Sequence, residues 1–357
     1  MSEALPRYAA AEVKAALLDH GVSGTIYALV MPESEAALNA LVDEDRAAFL
    51  EQYREAWTQK QDAMHEAYFE RWIQWSAPVL DWDAGRFPFR YPTAGASEGI
   101  VKLMAEYAAR EAAAARRGAV HMFEGEYEGF PAFAHSLGLD VVRHPREAWK
   151  AVAAERVPAH AAFWISQPSA IDGMVWPHFE AFAAALHAAQ PEARLVPDLT
   201  YVGSVARAYA IALHAPNIHE FVISQSKPFG GYYHRAGAAF SEAECPSLFG
   251  NHWFKNLASI GWARLMMERH GVHDLPRRYA AVQAEAARRC GKALGVELAP
   301  CDVNLLASAP WRDGLSPLLA SVGRGSEAEK VVRLCLTPTM ARLIDPALAP
   351  SVPDLEE

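Results

Sequence analysis

With 357 residues, the chain exceeds the size at which one hydrophobic core stops growing, so one large and one small domain are expected. Hydrophobic residues at 52% and charged residues at 21% exclude a disordered chain, and a formal charge of -10 excludes a globally basic surface for nucleic acid. Cys245, Cys290, Cys301 and Cys335 are too scattered for a zinc knuckle or a disulfide framework, and the 14 histidines contain no HExxH pair, so no metal is indicated.

The N-terminal stretch carries acidic residues and lacks the basic-then-apolar order of a signal peptide. No run approaches the ~18 apolar residues of a membrane span, so a soluble, cytoplasmic protein is expected. From Pro32 to about Pro78, apolar and aromatic groups recur at three- and four-residue spacing, which predicts helices with Trp57, Trp72 and Trp75 in the core or at a subunit interface. After the turn DWDAGRFPFRYP, the segment SEGIVKLMAEYAAREAAAARR puts Ile100, Val101, Leu103, Met104 and Tyr107 on one side of a helix opened by Gly-Ala-Ser.

Strand-like runs follow: AVHMF, LDVVR, AAFWI, RLVPD, EFVIS and AGAAF, with EAWKAVAAE, PHFEAFAAALHAA and VGSVARAYAIALH read as helices between several of them. This alternation predicts an α/β large domain with a mostly parallel central sheet in three layers. Beyond about residue 245, two long helical stretches and short strands such as VNLLAS and VVRLCLTP predict a smaller α+β domain. The expected division is an N-terminal helical segment, 1–90, packed with the small domain and a dimer interface, then a large domain, 91–245, and a small domain, 246–357.

Chemistry-bearing residues fall where this scaffold can converge them. PTAGASEGI opens a helix, Tyr127 follows a strand, and ISQPS, DLTY and SQSK each follow another. Loops at the carboxyl ends of parallel strands line one crevice. The free amides of Ala96 and Ser97 at a helix start suit an anion, although Gly-Ala-Ser also serves as a simple cap; neither a Walker loop nor GxGxxG is present.

The ordered set of GAS, Tyr, Gln-Pro, DLTY, SQSK with an arginine eight residues on, and RLCLTP resembles the fold-type I pyridoxal-phosphate enzymes of the class I/II aminotransferase family, over about residues 90 to 345. The resemblance implies pyridoxal 5'-phosphate as cofactor and gives Lys227 the role of the lysine that forms the Schiff base and shuttles the proton. It implies that Asp198 pairs with the pyridine nitrogen and that Tyr201 donates to the phenolic oxygen. Gly95, Ala96, Ser97, Ser224, Ser226 and Arg235 take phosphate-side positions, and Arg333 takes the substrate α-carboxylate.

Tyr127 matches the ring-stacking aromatic, with Phe123 and Phe130 as nearby competitors. Gln167 stands where the family has an asparagine that contacts the phenolic oxygen; its longer side chain leaves that contact or a substrate-facing role open. His121 and His234 lie near these motifs and read as packed or surface histidines.

An aminotransferase acting on an amino acid and a keto acid, as a homodimer, is the expected activity. The alternative is elimination, replacement or cyclisation in specialised amino-acid metabolism, because fold does not settle reaction and the first 90 residues show no short glycine-containing substrate arm. A non-enzymatic pyridoxal-phosphate-binding protein is a third reading, against which Lys227, Asp198 and Arg333 argue. No second arginine or acidic residue is assignable to a substrate side chain.

Overall fold

The computed structural model describes residues 11–44, 46–55, 62–231, 234–253 and 256–355. Seven strands form the central sheet: β1 (Phe89–Thr93), β2 (Ala119–Phe123), β3 (Asp140–His144), β4 (Ala162–Ser166), β5 (Arg194–Asp198), β6 (Glu220–Ser224) and β7 (Gly237–Ser241), in the order β1-β7-β6-β5-β4-β2-β3. Only β7 runs against its neighbours. β4, β6 and β7 are buried at every position, which is why AFWIS, EFVIS and GAAFS read as continuous apolar runs.

Alternating side chains of these strands separate two cores. Ala162, Trp164, Val196 and Val222 face Ile100, Leu103, Met104 and Phe130 from the helices Ala96–Ala113 and Gly129–Ser136. Phe163, Ile165, Leu195 and Phe221 face Phe179, Phe182 and Leu186 of the helix Phe179–Ala189 and Trp72 of the helix Asp62–Ser76. The sheet is thus the middle of three layers.

A second sheet, β8 (Ala299–Pro300), β9 (Leu306–Pro310), β10 (Gly323–Arg324) and β11 (Val331–Cys335), is antiparallel in the order β8-β9-β11-β10. Its Leu306, Val332 and Leu334 are continuous with the larger core. The N-terminal residues reach it, since Ser23 bridges Cys335, while Trp262 Nε1 donates to Ser34 Oγ at 3.1 Å. Trp72 and Trp75 lie in the core, Trp75 donating to the His270 carbonyl at 2.9 Å; Trp57 lies outside the described residues.

One predicted helix does not form. Residues 202–214 make a turn, a bridge from Val205 to Val303 and a two-residue strand, Ile211–Ala212, parallel to Leu80–Asp81. The reason is tertiary: Gly203 has φ +85, and a Cβ there would stand 2.2 Å from the Trp75 ring. Helix propensity yields where a partner strand and a ring claim the backbone. The second of the two long helical stretches expected beyond residue 245, LPRRYAAVQAEAARRCGKALG, also breaks, at Tyr279, into Asp274–Arg278 and Ala280–Leu294.

Candidate active site

The carboxyl ends of β5 and β6, the start of the Ala96–Ala113 helix, and β11 surround a cavity of about 260 Å³. Ala96, Ser97, Tyr127, Asp198, Tyr201, Ser224, Ser226, Lys227, Arg235 and Arg333 line it. Asp198 and Ser224 are the last residues of their strands, and Lys227 follows three residues later. Strand-end loops of the large sheet therefore place an amine, a carboxylate and the Arg235 guanidinium in one crevice, to which β11 of the second sheet adds Arg333.

At one end, the helix N-terminus has no side-chain cap at Gly95, so its first amides remain available to an anion. Arg235 closes this end. Its Nη1 donates to Ser226 Oγ at 3.1 Å and its Nε to the Ala94 carbonyl at 3.3 Å. Gly95 does not line the cavity; it makes room for it, with φ +86 and a Cβ position that would fall 2.5 Å from Arg235 Nη2.

Asp198 is buried, and burial raises its pKa to about 6 against the pull of Thr200 and Lys227. Thr200 donates both its amide, at 3.0 Å, and its hydroxyl to Oδ1; among the described residues Oδ2 takes no hydrogen bond. Burial lowers Lys227 to about 8, with Arg235 and Arg333 acting in the same direction and Cys335 and Asp198 opposing. Its Nζ donates to the Ile26 carbonyl. Tyr201, buried beside Arg333 and Asp198, is raised by burial and stays a neutral phenol.

Arg333, on β11, is 2% exposed. Its Nη1 donates to the Ala170 carbonyl at 2.6 Å and its Nη2 to the Gly24 carbonyl at 2.9 Å, whereas Nε has no partner and no carboxylate pairs with the group among the described residues. A buried guanidinium without a counter-charge is costly, and an incoming anion would supply what is missing.

Of the three candidate aromatics, Tyr127 lines the cavity, its hydroxyl 3.1 Å from Ser97 Oγ. Phe123 packs on Phe163 and Trp176, and Phe130 on Trp164. Gln167 is turned away from the cavity: Nε2 donates to the Trp176 carbonyl at 3.0 Å, and Oε1 accepts the Trp176 amide at 3.1 Å. Its longer side chain closes a backbone turn. His121 is buried against His144, and His234 lies against Trp262, so neither lines the cavity.

Sequence reasoning missed Thr25, Ile26, Ile100, Glu128, Ala170 and Thr200 on the wall. The first pair corrects the expectation that no glycine-containing stretch from the N-terminus reaches the site. Gly24 and Ile26 offer their carbonyls to Arg333 and Lys227. The signal was Gly21-Val-Ser-Gly24 between two helical patterns, a break that could have marked a crossing segment.

No family model and no curated protein matches the chain in sequence. Solved structures do match in fold. An Escherichia coli protein with a methionine aminotransferase function superposes with a TM-score of 0.64 at 17% identity, covering 99% of this chain and 99% of that one. A double mutant of Thermus thermophilus aspartate aminotransferase gives 0.63 at 15% identity, covering 97% of each chain. A pyridoxal-phosphate-bound C-S lyase from Staphylococcus hominis gives 0.56 at 15% identity, covering 80% of this chain and 82% of that one. The chain therefore has the fold-type I architecture that these aminotransferases and this lyase share.

Proposed function

We propose that the protein is a pyridoxal-phosphate-dependent enzyme acting on an amino acid, and that its reaction is transamination with a keto acid as second substrate. The observation that carries the reading is the convergence of Lys227, Asp198, Arg235 and the uncompensated Arg333 on one cavity. These residues fit the cofactor: an uncapped helix start with an arginine for its phosphate, a carboxylate with a free oxygen for its ring nitrogen, a ring for its face, and an amine of lowered pKa for its aldehyde carbon.

Bound there, pyridoxal phosphate supplies an electron-accepting ring that stabilises negative charge on an amino-acid carbon. Ala96, Ser97, Ser224, Ser226 and Arg235 would bind the phosphate oxygens. Asp198 would hold a proton on the ring nitrogen, and that cation would offset the burial which raises its own pKa. Tyr201 would donate to the phenolic oxygen, and Tyr127 would lie against the ring. Lys227 would hold the aldehyde carbon covalently until substrate displaces it, and its freed amine would then move the proton at the substrate Cα. Arg333 would orient the substrate by its carboxylate.

The aminotransferases among the structures of this fold support transamination; the C-S lyase among them makes chemistry at the β- or γ-carbon the alternative outcome. The test is to mix cofactor-loaded protein with a panel of amino acids and no keto acid. Conversion of the cofactor to its amine form with one equivalent of keto acid supports transamination. Repeated turnover with the cofactor still an aldehyde overturns it in favour of elimination, replacement or cyclisation.

We also propose that the chain divides at about residues 90 and 245 and works as a homodimer. The exposed pair Phe249 and Trp253, 5.2 Å apart between ring centres, supports an apolar contact surface.

A further inference from the structure

Behind the cavity lies a buried acid that none of the proposed cofactor contacts uses. Glu126, 5% exposed, precedes Tyr127 and accepts hydrogen bonds from the Ser166 amide at 3.1 Å, the Ser166 hydroxyl at 2.5 Å and the Tyr127 amide at 3.3 Å. The Ser166 oxygen in turn accepts the Ala170 amide at 2.6 Å. Ala170 then presents its carbonyl to Arg333. A continuous chain of bonds thus runs from the Glu126 carboxylate to the guanidinium that lacks a counter-charge.

We propose that Glu126 is a positioning residue which, through Ser166 and Ala170, aims Arg333 at a substrate α-carboxylate and makes that grip depend on pH. The inference rests on the proposed role of Arg333. Both carboxylate oxygens face donors: Oε1 receives the Ser166 amide, and Oε2 the Ser166 hydroxyl and the Tyr127 amide. The ionised form satisfies all three donors. Protonation reverses the short bond, so that Ser166 Oγ accepts from the carboxyl O–H; the Ser166 proton then has no acceptor in this set, and the reoriented hydroxyl loosens its hold on the Ala170 amide.

Burial raises the Glu126 pKa to about 7, against the pull of the Ser166 and Tyr127 bonds and of the Arg146 charge. The charged groups around it are Arg146, itself paired with Asp172 and Glu329, and Arg324, which donates to the Glu126 carbonyl at 3.4 Å and pairs with Glu128. Loss of the Glu126 charge would by itself favour an anion at Arg333. After burial, however, the groups that act most on Arg333 are Tyr201, Cys335, Cys301 and Asp172, so geometry and not charge is the route of coupling.

The experiment measures the dissociation constant of isobutyrate, a carboxylate with no amine to react, on the cofactor-loaded protein by calorimetry from pH 5.5 to 8.5. Wild type should weaken roughly tenfold on acidification through pH 7, whereas Glu126→Gln should bind weakly and within about twofold across the range. Ser166→Ala leaves the carboxyl in place but removes the hydroxyl that links it to Ala170, and should flatten the profile likewise. It decides the matter should Glu126→Gln fail to fold. A wild-type profile that tightens on acidification, or a step that persists in the variants and so belongs to Lys227 or Asp198, overturns the inference while the proposed function stands. A wild-type chain that takes up no pyridoxal phosphate overturns both.

Discussion

Arg235 reaches the anion end of the cavity by packing its guanidinium against Gly95 just outside the wall: a Cβ on Gly95 would stand 2.5 Å from Nη2. Gly95→Ala adds that atom to a residue at φ +86, so it strains the backbone and pushes the guanidinium aside. The expected outcome is a loss of about 1–3 kcal/mol of stability and a dissociation constant for pyridoxal phosphate at least about tenfold higher. Equilibrium unfolding and cofactor titration measure the two; unchanged cofactor affinity would separate Arg235 from phosphate binding.

Lys227 has its amine held down to about 8 by burial. In cofactor-free protein the neutral amine is the nucleophile, so capture of pyridoxal phosphate should accelerate about tenfold per pH unit below 8 and level off above it. Stopped-flow absorbance gives the profile. Lys227→Ala should abolish the absorbance of the lysine-bound cofactor and cut turnover by about a thousandfold or more; retention of both would remove Lys227 from its role.

Arg333 is the clearest case of a site group that works against stability. Its guanidinium is buried on two carbonyls with one nitrogen unpartnered. Arg333→Met should leave ligand-free stability unchanged or raise it by about 1–4 kcal/mol, while KM for an amino acid rises by about 10- to 150-fold. A fall in stability beyond about 3 kcal/mol would mean that its two carbonyl bonds outweigh its desolvation.

His121 Nδ1 and His144 Nε2 meet at 2.9 Å in the core, and burial pushes both rings down to about 4, the neighbouring imidazole adding to the effect on His121 and Arg156 to that on His144. Depressed folded-state values mean that the unfolded chain binds more protons than the native one between about pH 6.5 and 4. Their contribution is therefore present in full above about 6.5 and lost as pH falls through that window. Urea midpoints at pH 7.5 and 5 should drop in wild type and drop less in His121→Gln; an equal drop in both would assign the acid sensitivity elsewhere.

Much of the large sheet was legible because its strands are buried on both faces. AFWIS and EFVIS leave no polar alternation to misread, and EFVIS leads directly into Ser226 and Lys227 at the strand-end crevice. The motifs around Lys227, Asp198 and Arg333 are local in the same sense: each is a short string whose chemistry is written in adjacent residues. The 202–214 segment was misread because its apolar spacing suits a helix, whereas Val303, Trp75 and Leu80–Asp81 are distant in sequence and bind it as a turn and a strand.

By itself the sequence determined the residue types at the site, their order along the chain and the alternation that builds a parallel sheet. Only the tertiary structure decided that Thr25 and Ile26 wall the cavity, that Gln167 turns from it to a backbone loop, and that no carboxylate pairs with Arg333 among the described residues. The physical reason is that these are properties of neighbours far apart in the chain. Burial and partnership, not residue type, set whether a charge is satisfied.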